Sequence, residues 1–150
     1  MLQRTDAADA IDPLMRPFFE RSGLAALRLG GRALLPIVQG GMGVGVSAHK
    51  LAGNVASLGG VGTISSVDLR RHHPDLMERT QGLASRPGMD ADTKEVINAA
   101  NLEAIGREIR AARALSQGRG LLAINVMRAV ADYAASVKKA LEAGIDAVVV

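Results

Sequence analysis

Leu34-Leu35-Pro36-Ile37-Val38-Gln39-Gly40-Gly41-Met42-Gly43-Val44-Gly45 passes from a short apolar run into a glycine-dense turn. The run over residues 34–38 is bounded by glycine pairs and predicts a buried strand, with Pro36 at its beginning or at a sheet edge. Glycines let a backbone approach a ligand closely and adopt positive φ. Such a turn before a helix that begins near Ser47 predicts amide groups aimed at a flat ring or a phosphate. The alternative is that this turn is only a tight strand-to-helix connection and binds no ligand.

The composition indicates a globular domain and excludes several classes of function. The chain has 150 residues, of which 48% are hydrophobic, and no cysteine. Disulfides, thiolate metal sites and a cysteine nucleophile are therefore excluded. No apolar run approaches the roughly 18–20 residues of a membrane span, and the first residues lack the charged start and apolar middle of a signal peptide. We therefore predict a cytoplasmic protein without a membrane partner. The net charge of +3 is scattered and aromatics are only 2%, which predicts no nucleic-acid partner.

Three more apolar segments follow the first, separated by segments with helical periodicity. They predict strands at residues 61–65, 121–127 and 145–150, and a regular alternation of strands with helices builds a parallel sheet with right-handed crossovers. The connection over residues 66–92 is longer than the usual 2–6 residues in such folds. It predicts a lid, an excursion with a helical turn, or a partly mobile segment.

The alternation predicts an α/β fold of the parallel TIM-barrel type. Residues 1–33 are predicted to be a leader of one or two short helices, and residues 34–150 to hold about four strand-helix units. Eight such units close a (β/α)8 barrel of about 250 residues. We therefore predict the N-terminal half of a barrel, truncated at the fourth strand, as the first part of a longer protein. Its open strand edges predict self-association or a need for the C-terminal half.

A dinucleotide-binding domain is the rival interpretation of the glycine turn. Gly43-Val44-Gly45-Val46-Ser47-Ala48 fits the G-x-G-x-x-G/A fingerprint, and Asp68 stands about 20 residues further on, where a ribose-binding acid occurs. Against this interpretation, residues 39–41 make the turn longer than the fingerprint requires, and a long loop follows Asp68. A Rossmann-type nicotinamide domain and a non-catalytic half-barrel fragment both remain hypotheses.

Several separated motifs resemble those of the nitronate monooxygenase family, formerly called 2-nitropropane dioxygenases, and they follow one another in the order found in that family. They lie at residues 36–42, 51–52, 59–64 and 123–127. The resemblance implies an FMN-dependent oxidoreductase that holds its cofactor at the carboxyl ends of barrel strands and oxidises small nitronates or nitroalkanes with molecular oxygen. Flavin-dependent enoyl-acyl-carrier-protein reductases share the pattern, so NAD(P)H-dependent reduction of an enoyl thioester is the alternative.

The same resemblance implies particular flavin contacts. The backbone of Gly40, Gly41 and Met42 is expected to lie against the isoalloxazine ring, and the amide of Asn125 to bond a ring heteroatom. Glycines permit close approach to a flat ring and an amide can orient it, so this role is physically reasonable. Gln39 is a further candidate, for which bonding to backbone at the strand end is an equal alternative. The family's phosphate site and catalytic histidine lie beyond residue 150, so no catalytic residue is predicted.

The histidines of this chain do not match the family's catalytic motif. His72-His73-Pro74-Asp75 could form part of a metal site, but adjacent histidines point in different directions and no third ligand shows characteristic spacing. We therefore predict no metal. His49 is predicted to lie on a helix surface near the glycine turn.

Overall fold

A computed structural model describes residues 10–83, 91–129 and 132–150. The helices and strands, in chain order, are α1 Arg16–Ser22, β1 Leu27–Leu29, β2 Arg32–Leu34, α2 His49–Ser57, β3 Val61–Ser65, α3 Pro74–Thr80, α4 Ala91–Ser116, β4 Leu121–Asn125, α5 Tyr133–Glu142 and β5 Ala147–Val149. A short 3-10 turn, Leu69–His72, precedes α3. None of the helices in these ranges combines the length and apolar character that a membrane crossing needs.

Strands β3, β4 and β5 form a parallel sheet in that order, within three segments predicted as strands. Their short apolar sequences suit strands that are covered on both faces. One face packs against α2, α4 and α5, and its core residues include Ile64, Leu122, Ile124, Ala52, Ala56, Ile105 and Ile109. The other face has a smaller cluster, formed by Ala10, Leu34, Val61, Leu121 and Ala123. The carboxyl ends of β3 and β4 lie side by side, because Ser65 pairs with Asn125.

The predicted half of a (β/α)8 TIM barrel is wrong. The strands in the described residues number five, and they form a two-stranded antiparallel sheet and a separate three-stranded parallel sheet, with no barrel-type repeat. The predicted first strand over residues 34–38 does not form as a strand. Leu34 ends β2, and Val38 makes only an isolated bridge to Val61. Pro36 lies between them and has no N–H to donate to a ladder, which explains the interruption.

The leader is also not wholly helical. After α1, strands β1 and β2 pair antiparallel, with Leu27 opposite Leu34. Gly30 and Gly31 connect them with φ of +58° and +76°. Two consecutive residues with positive φ are what a tight hairpin turn of the right twist requires, and glycine adopts them without strain. The Gly-Gly pair between two short alternating segments is the sequence signal that predicts this hairpin.

Close packing of α2 against β3 depends on Gly62. A Cβ atom on Gly62 would overlap the carbonyl oxygen of Ala52 and lie 2.6 Å from its carbonyl carbon. Helix α2 thus rests on the backbone of the strand rather than on side chains. This contact brings the first turn of the helix, and the glycine loop before it, close to the end of β3.

An exposed network of ion pairs joins α3 to α4. Arg107 donates to both carboxylate oxygens of Asp75, at 2.9 and 2.7 Å, and to Glu103 at 2.6 Å, while Arg79 lies 3.0 Å from Glu103. The hydrogen bond from Arg107 lowers the pKa of Asp75. Hydrogen bonds from Arg79 and then Arg107 lower the pKa of Glu103. The folded protein therefore holds both carboxylates ionised below the pH at which the unfolded chain would protonate them.

This network predicts a pH-dependent effect of replacing Arg107 by glutamine. Because the carboxylate pKa values are lowered by folding, the stabilisation is complete above the unfolded values, near 4, and is lost as the pH falls through the folded values. We expect Arg107→Gln to lower the urea midpoint at pH 7 by more than at pH 3. An equal change at both pH values would contradict the coupling of Arg107 to Asp75 and Glu103.

Candidate functional site

The glycine loop and the end of β4 meet at one edge of the parallel sheet. A Cβ atom on Gly41 would lie 2.6 Å from the Cβ of Asn125 and 3.0 Å from its Nδ2. These two residues, predicted from separate motifs, are therefore in direct contact. Gly40 has open space where a Cβ would stand, and Met42 is 45% exposed. The predicted contacts Gly40, Gly41, Met42 and Asn125 thus lie around one open surface.

The side-chain amide of Asn125 lies at the end of β4 beside the glycine loop. In residues 10–83, 91–129 and 132–150 it has no hydrogen-bond partner, although its backbone carbonyl accepts from Ser66 N–H at 3.0 Å. The side chain belongs to the sheet face opposite the helices, since the neighbouring Ile124 packs in the helix-side core. A donor and an acceptor at a strand end, beside a glycine backbone, can bond the heteroatoms of a flat ring.

The side chain of Gln39 bonds to backbone, which is the alternative role considered for it in the sequence. Its Oε1 accepts from Thr63 N–H at 3.0 Å, and its Nε2 donates to the Thr63 carbonyl at 3.1 Å. The side-chain amide therefore pairs with β3 in the way that a peptide group would. The backbone N–H of Gln39 also donates to Val61 O at 2.9 Å. Gln39 holds the beginning of the glycine loop against the sheet.

Ser47 is a residue of this site that sequence reasoning missed. The helix after the glycine turn was predicted to begin near Ser47; it begins at His49, with Ala48 at the cap position and no side chain bonding the cap. The buried Ser47 hydroxyl instead accepts from Met42 N–H at 2.9 Å and lies 3.2 Å from Gly40 O. It thus fixes the conformation of the loop from within. A lone hydroxyl directly after a glycine-rich turn is the signal that could have indicated this role.

The dinucleotide interpretation gains no support from the loop. Gly45 has φ of +75°, and a Cβ there would overlap the ring of His72. The glycine is therefore needed for its protein neighbour. The carboxylate of Asp68 pairs with Arg70 at 2.9 Å and with Arg71. A ribose-binding acid would have to give up these partners.

A buried carboxylate lies behind the loop. Glu108 of α4 is 1% exposed, and its Oε2 accepts from the backbone N–H of His49 and contacts His49 Nδ1, both at 2.7 Å. His73 Nε2 lies 3.1 Å from Glu108 Oε1 without hydrogen-bond geometry. His49 was predicted to lie on a helix surface. In the structure it forms part of the contact between α2 and α4.

The two adjacent histidines diverge, as their sequence positions predicted. His72 lies against Gly45 and His73 against Glu108. Within the described parts of the chain, no group of three His, Cys, Asp or Glu side chains is placed to hold a metal ion. The long connection contains the 3-10 turn and α3, so it is an excursion with helical turns, and its residues 84–90 lie outside the described residues.

Comparison with known proteins leaves the family open. No family model, curated protein or solved structure matches this chain. The resemblance to nitronate monooxygenases, and the FMN contacts that it implies, therefore stay predictions that rest on the motifs at residues 36–42, 51–52, 59–64 and 123–127.

Proposed function

We propose that the chain carries the ring-binding part of an FMN site in an oxidoreductase that oxidises small nitronates with molecular oxygen. One contact carries the proposal: Gly41 lies against Asn125, whose side-chain amide has no hydrogen-bond partner among the described residues. The nitronate substrate and the oxygen acceptor come from the sequence resemblance. A barrel is not part of the proposal.

The chemistry of the residues fits a flavin ring better than a charged ligand. The loop from Gly40 to Met42 offers backbone and one exposed thioether side chain, which suit the face of a flat ring. The Asn125 amide supplies one donor and one acceptor, and flavin heteroatoms along one ring edge include both types. Gln39 and Ser47 hold the loop in place without contributing a charge.

Bound FMN would supply the electron transfer between substrate and oxygen. The residues of this chain would orient and support the ring. Asn125 would fix its rotation by hydrogen bonding, and the glycine backbone would set how closely it approaches the sheet. Met42 would pack against the ring as an adaptable apolar side chain.

The absorption spectrum of the protein purified from its own source is the first test. Flavin bands at stoichiometric strength would support the proposal, and consumption of oxygen on addition of ethyl nitronate would support the reaction. A colourless protein that also fails to take up FMN would refute it. Uptake of NAD in place of FMN would favour the dinucleotide interpretation.

We predict that Asn125→Leu weakens flavin binding about tenfold, because it removes one or two hydrogen bonds and keeps the branching of the side chain. Quenching of flavin fluorescence during titration measures the affinity. Lumiflavin, which has no phosphate, should show the same loss as FMN, since Asn125 is proposed to contact the ring.

Asn54→Leu is the matched control, because the Asn54 amide donates only to Lys50 O on the exposed side of α2. It should leave both affinities unchanged. Equal affinity of Asn125→Leu and the unmodified protein would exclude Asn125 from the flavin site. A loss of affinity for FMN, without a loss for lumiflavin, would place the Asn125 contact at the phosphate instead.

A further inference from the structure

A cavity of about 150 Å³ lies between the end of β3, α4 and the first turn of α5. It shares no residue with the candidate flavin site. Its lining residues are Ser66, Val67, Asp68, Ile97, Asn98, Asn101, Asp132 and Ser136. A cavity of this volume can hold a molecule the size of benzene, that is, roughly six non-hydrogen atoms.

Two serine hydroxyls at this cavity have no hydrogen-bond partner among the described residues. They belong to Ser66 and Ser136, each of which is only 4% exposed as a whole residue. Hydroxyls so placed are satisfied by water or by a bound polar molecule.

Asn101, which also lines the cavity, carries an acceptor without a partner among the described residues. Its Nδ2 donates to the carbonyl oxygen of Ser66 at 3.0 Å. A carbonyl oxygen only accepts, which defines the orientation of the amide and makes the remaining atom the oxygen. This Oδ1 is buried without a partner in the described residues. The group that satisfies it must therefore donate a hydrogen bond.

The charges around the cavity favour a cation. Asp68 is paired with Arg70 and Arg71. Asp132, just before α5, has no cap bond, and its carboxylate has no ion-pair partner among residues 10–83, 91–129 and 132–150. Among the described residues, no lysine or arginine lines the cavity. One unpaired carboxylate thus faces an acceptor-rich wall.

We propose that this cavity binds a short aliphatic primary ammonium compound. The ammonium group has three donors, which match the carboxylate of Asp132, the hydroxyl oxygen of Ser136 and the other acceptors of the wall. Val67 and Ile97 supply an apolar wall for an alkyl chain of about four carbons. The ligand is thus a small amine and not a flavin, a phosphate or a metal ion.

The experiment titrates the protein with n-butylammonium chloride and follows the backbone amides of Ser66, Asn101 and Ser136 by NMR. Butanol and butyrate are the comparison ligands, because they keep the chain and remove or reverse the charge. We expect saturable shifts with butylammonium, and binding at least tenfold weaker with butanol and butyrate. Absence of saturable shifts, or equal binding of butanol, would overturn the proposal.

Two variants test the assignment of the ligands. Asp132→Asn keeps the shape and removes the charge, and we expect it to weaken butylammonium binding about tenfold or more. Ser136→Ala should weaken it several-fold. Glu20→Gln on the exposed surface of α1 removes a charge away from the cavity and should change nothing. Full binding by Asp132→Asn, or equal weakening by Glu20→Gln, would show that the cavity does not select the ammonium group.

Discussion

Replacing Gly62 by alanine is expected to lower the free energy of unfolding by about 3 kcal/mol or more. The new methyl group would overlap the carbonyl oxygen of Ala52 and stand 2.9 Å from its Cα. These are backbone atoms, so no side-chain rotation can relieve the overlap. Helix α2 must move away from β3, and the core around Ala52, Ala56 and Ile64 loses contacts as it does. Urea unfolding followed by circular dichroism measures the loss.

Gly106→Ala is the matched control, because it adds the same methyl group at another buried glycine. There the Cβ would meet only the flexible ends of Arg110 and Lys139, each at 3.2 Å. Alanine is favoured over glycine in a helix interior by about 1 kcal/mol, so the stability of this variant should be unchanged or higher. If Gly62→Ala costs no more than Gly106→Ala, α2 does not rest on the strand backbone.

Replacing Glu108 by alanine is expected to cost about 3–5 kcal/mol, because it leaves a backbone donor unsatisfied and removes a large buried side chain. The variant leaves the backbone N–H and imidazole of His49 without their partner. It also opens a cavity at a side chain that is only 1% exposed. The first turn of α2 then loses its bond to α4, and the glycine loop before it becomes less rigid. Thermal unfolding and hydrogen exchange of the loop amides measure both effects.

Two further variants separate the carboxylate from the volume of the side chain. Glu108→Gln keeps the shape and an acceptor for His49 N–H, so it should cost less than half as much as Glu108→Ala. Glu103→Ala, on the exposed part of the same helix, should cost at most about 1 kcal/mol. Equal losses for the alanine and glutamine variants of Glu108 would mean that the ionic contacts with His49 and His73 carry the stabilisation. A Glu108→Ala loss as small as that of Glu103→Ala would contradict the prediction.

The strands of the parallel sheet were predictable and their assembly was not. Residues 61–65, 121–125 and 147–149 are short, mainly apolar runs that each follow a glycine closely, and such runs favour strands. Which strands pair, and whether they close a barrel, depends on contacts between distant residues that no local pattern states. Pro36 illustrates the error, because the apolar run around it was predicted as a complete strand. In the structure this run makes only one bridge, from Val38 to Val61.

The candidate site also has features that the sequence indicated and features that it did not. The proximity of the glycine turn to Asn125 followed from the rule that carboxyl ends of parallel strands meet at one sheet edge. For Gln39 the sequence left two roles open, and for Ser47 it did not indicate the bonds to the loop, because an amide or hydroxyl can bond many partners and only the folded backbone decides which are within reach. The glycine turn and Asn125 are in contact, and their role in binding a cofactor stays a prediction.

The sequence by itself determined the local structure, since strand and helix formation depends on side chains that are neighbours in the chain. It placed three parallel strands, the helices between them and a glycine loop able to approach a ligand. Only the tertiary structure decided that Glu108 meets His49 across 59 residues, that Ser66 and Ser136 enclose one cavity, and that β1 pairs with β2 apart from the main sheet. These contacts depend on the packing of whole helices against a sheet, and small residues such as Gly62 set how closely that packing can occur.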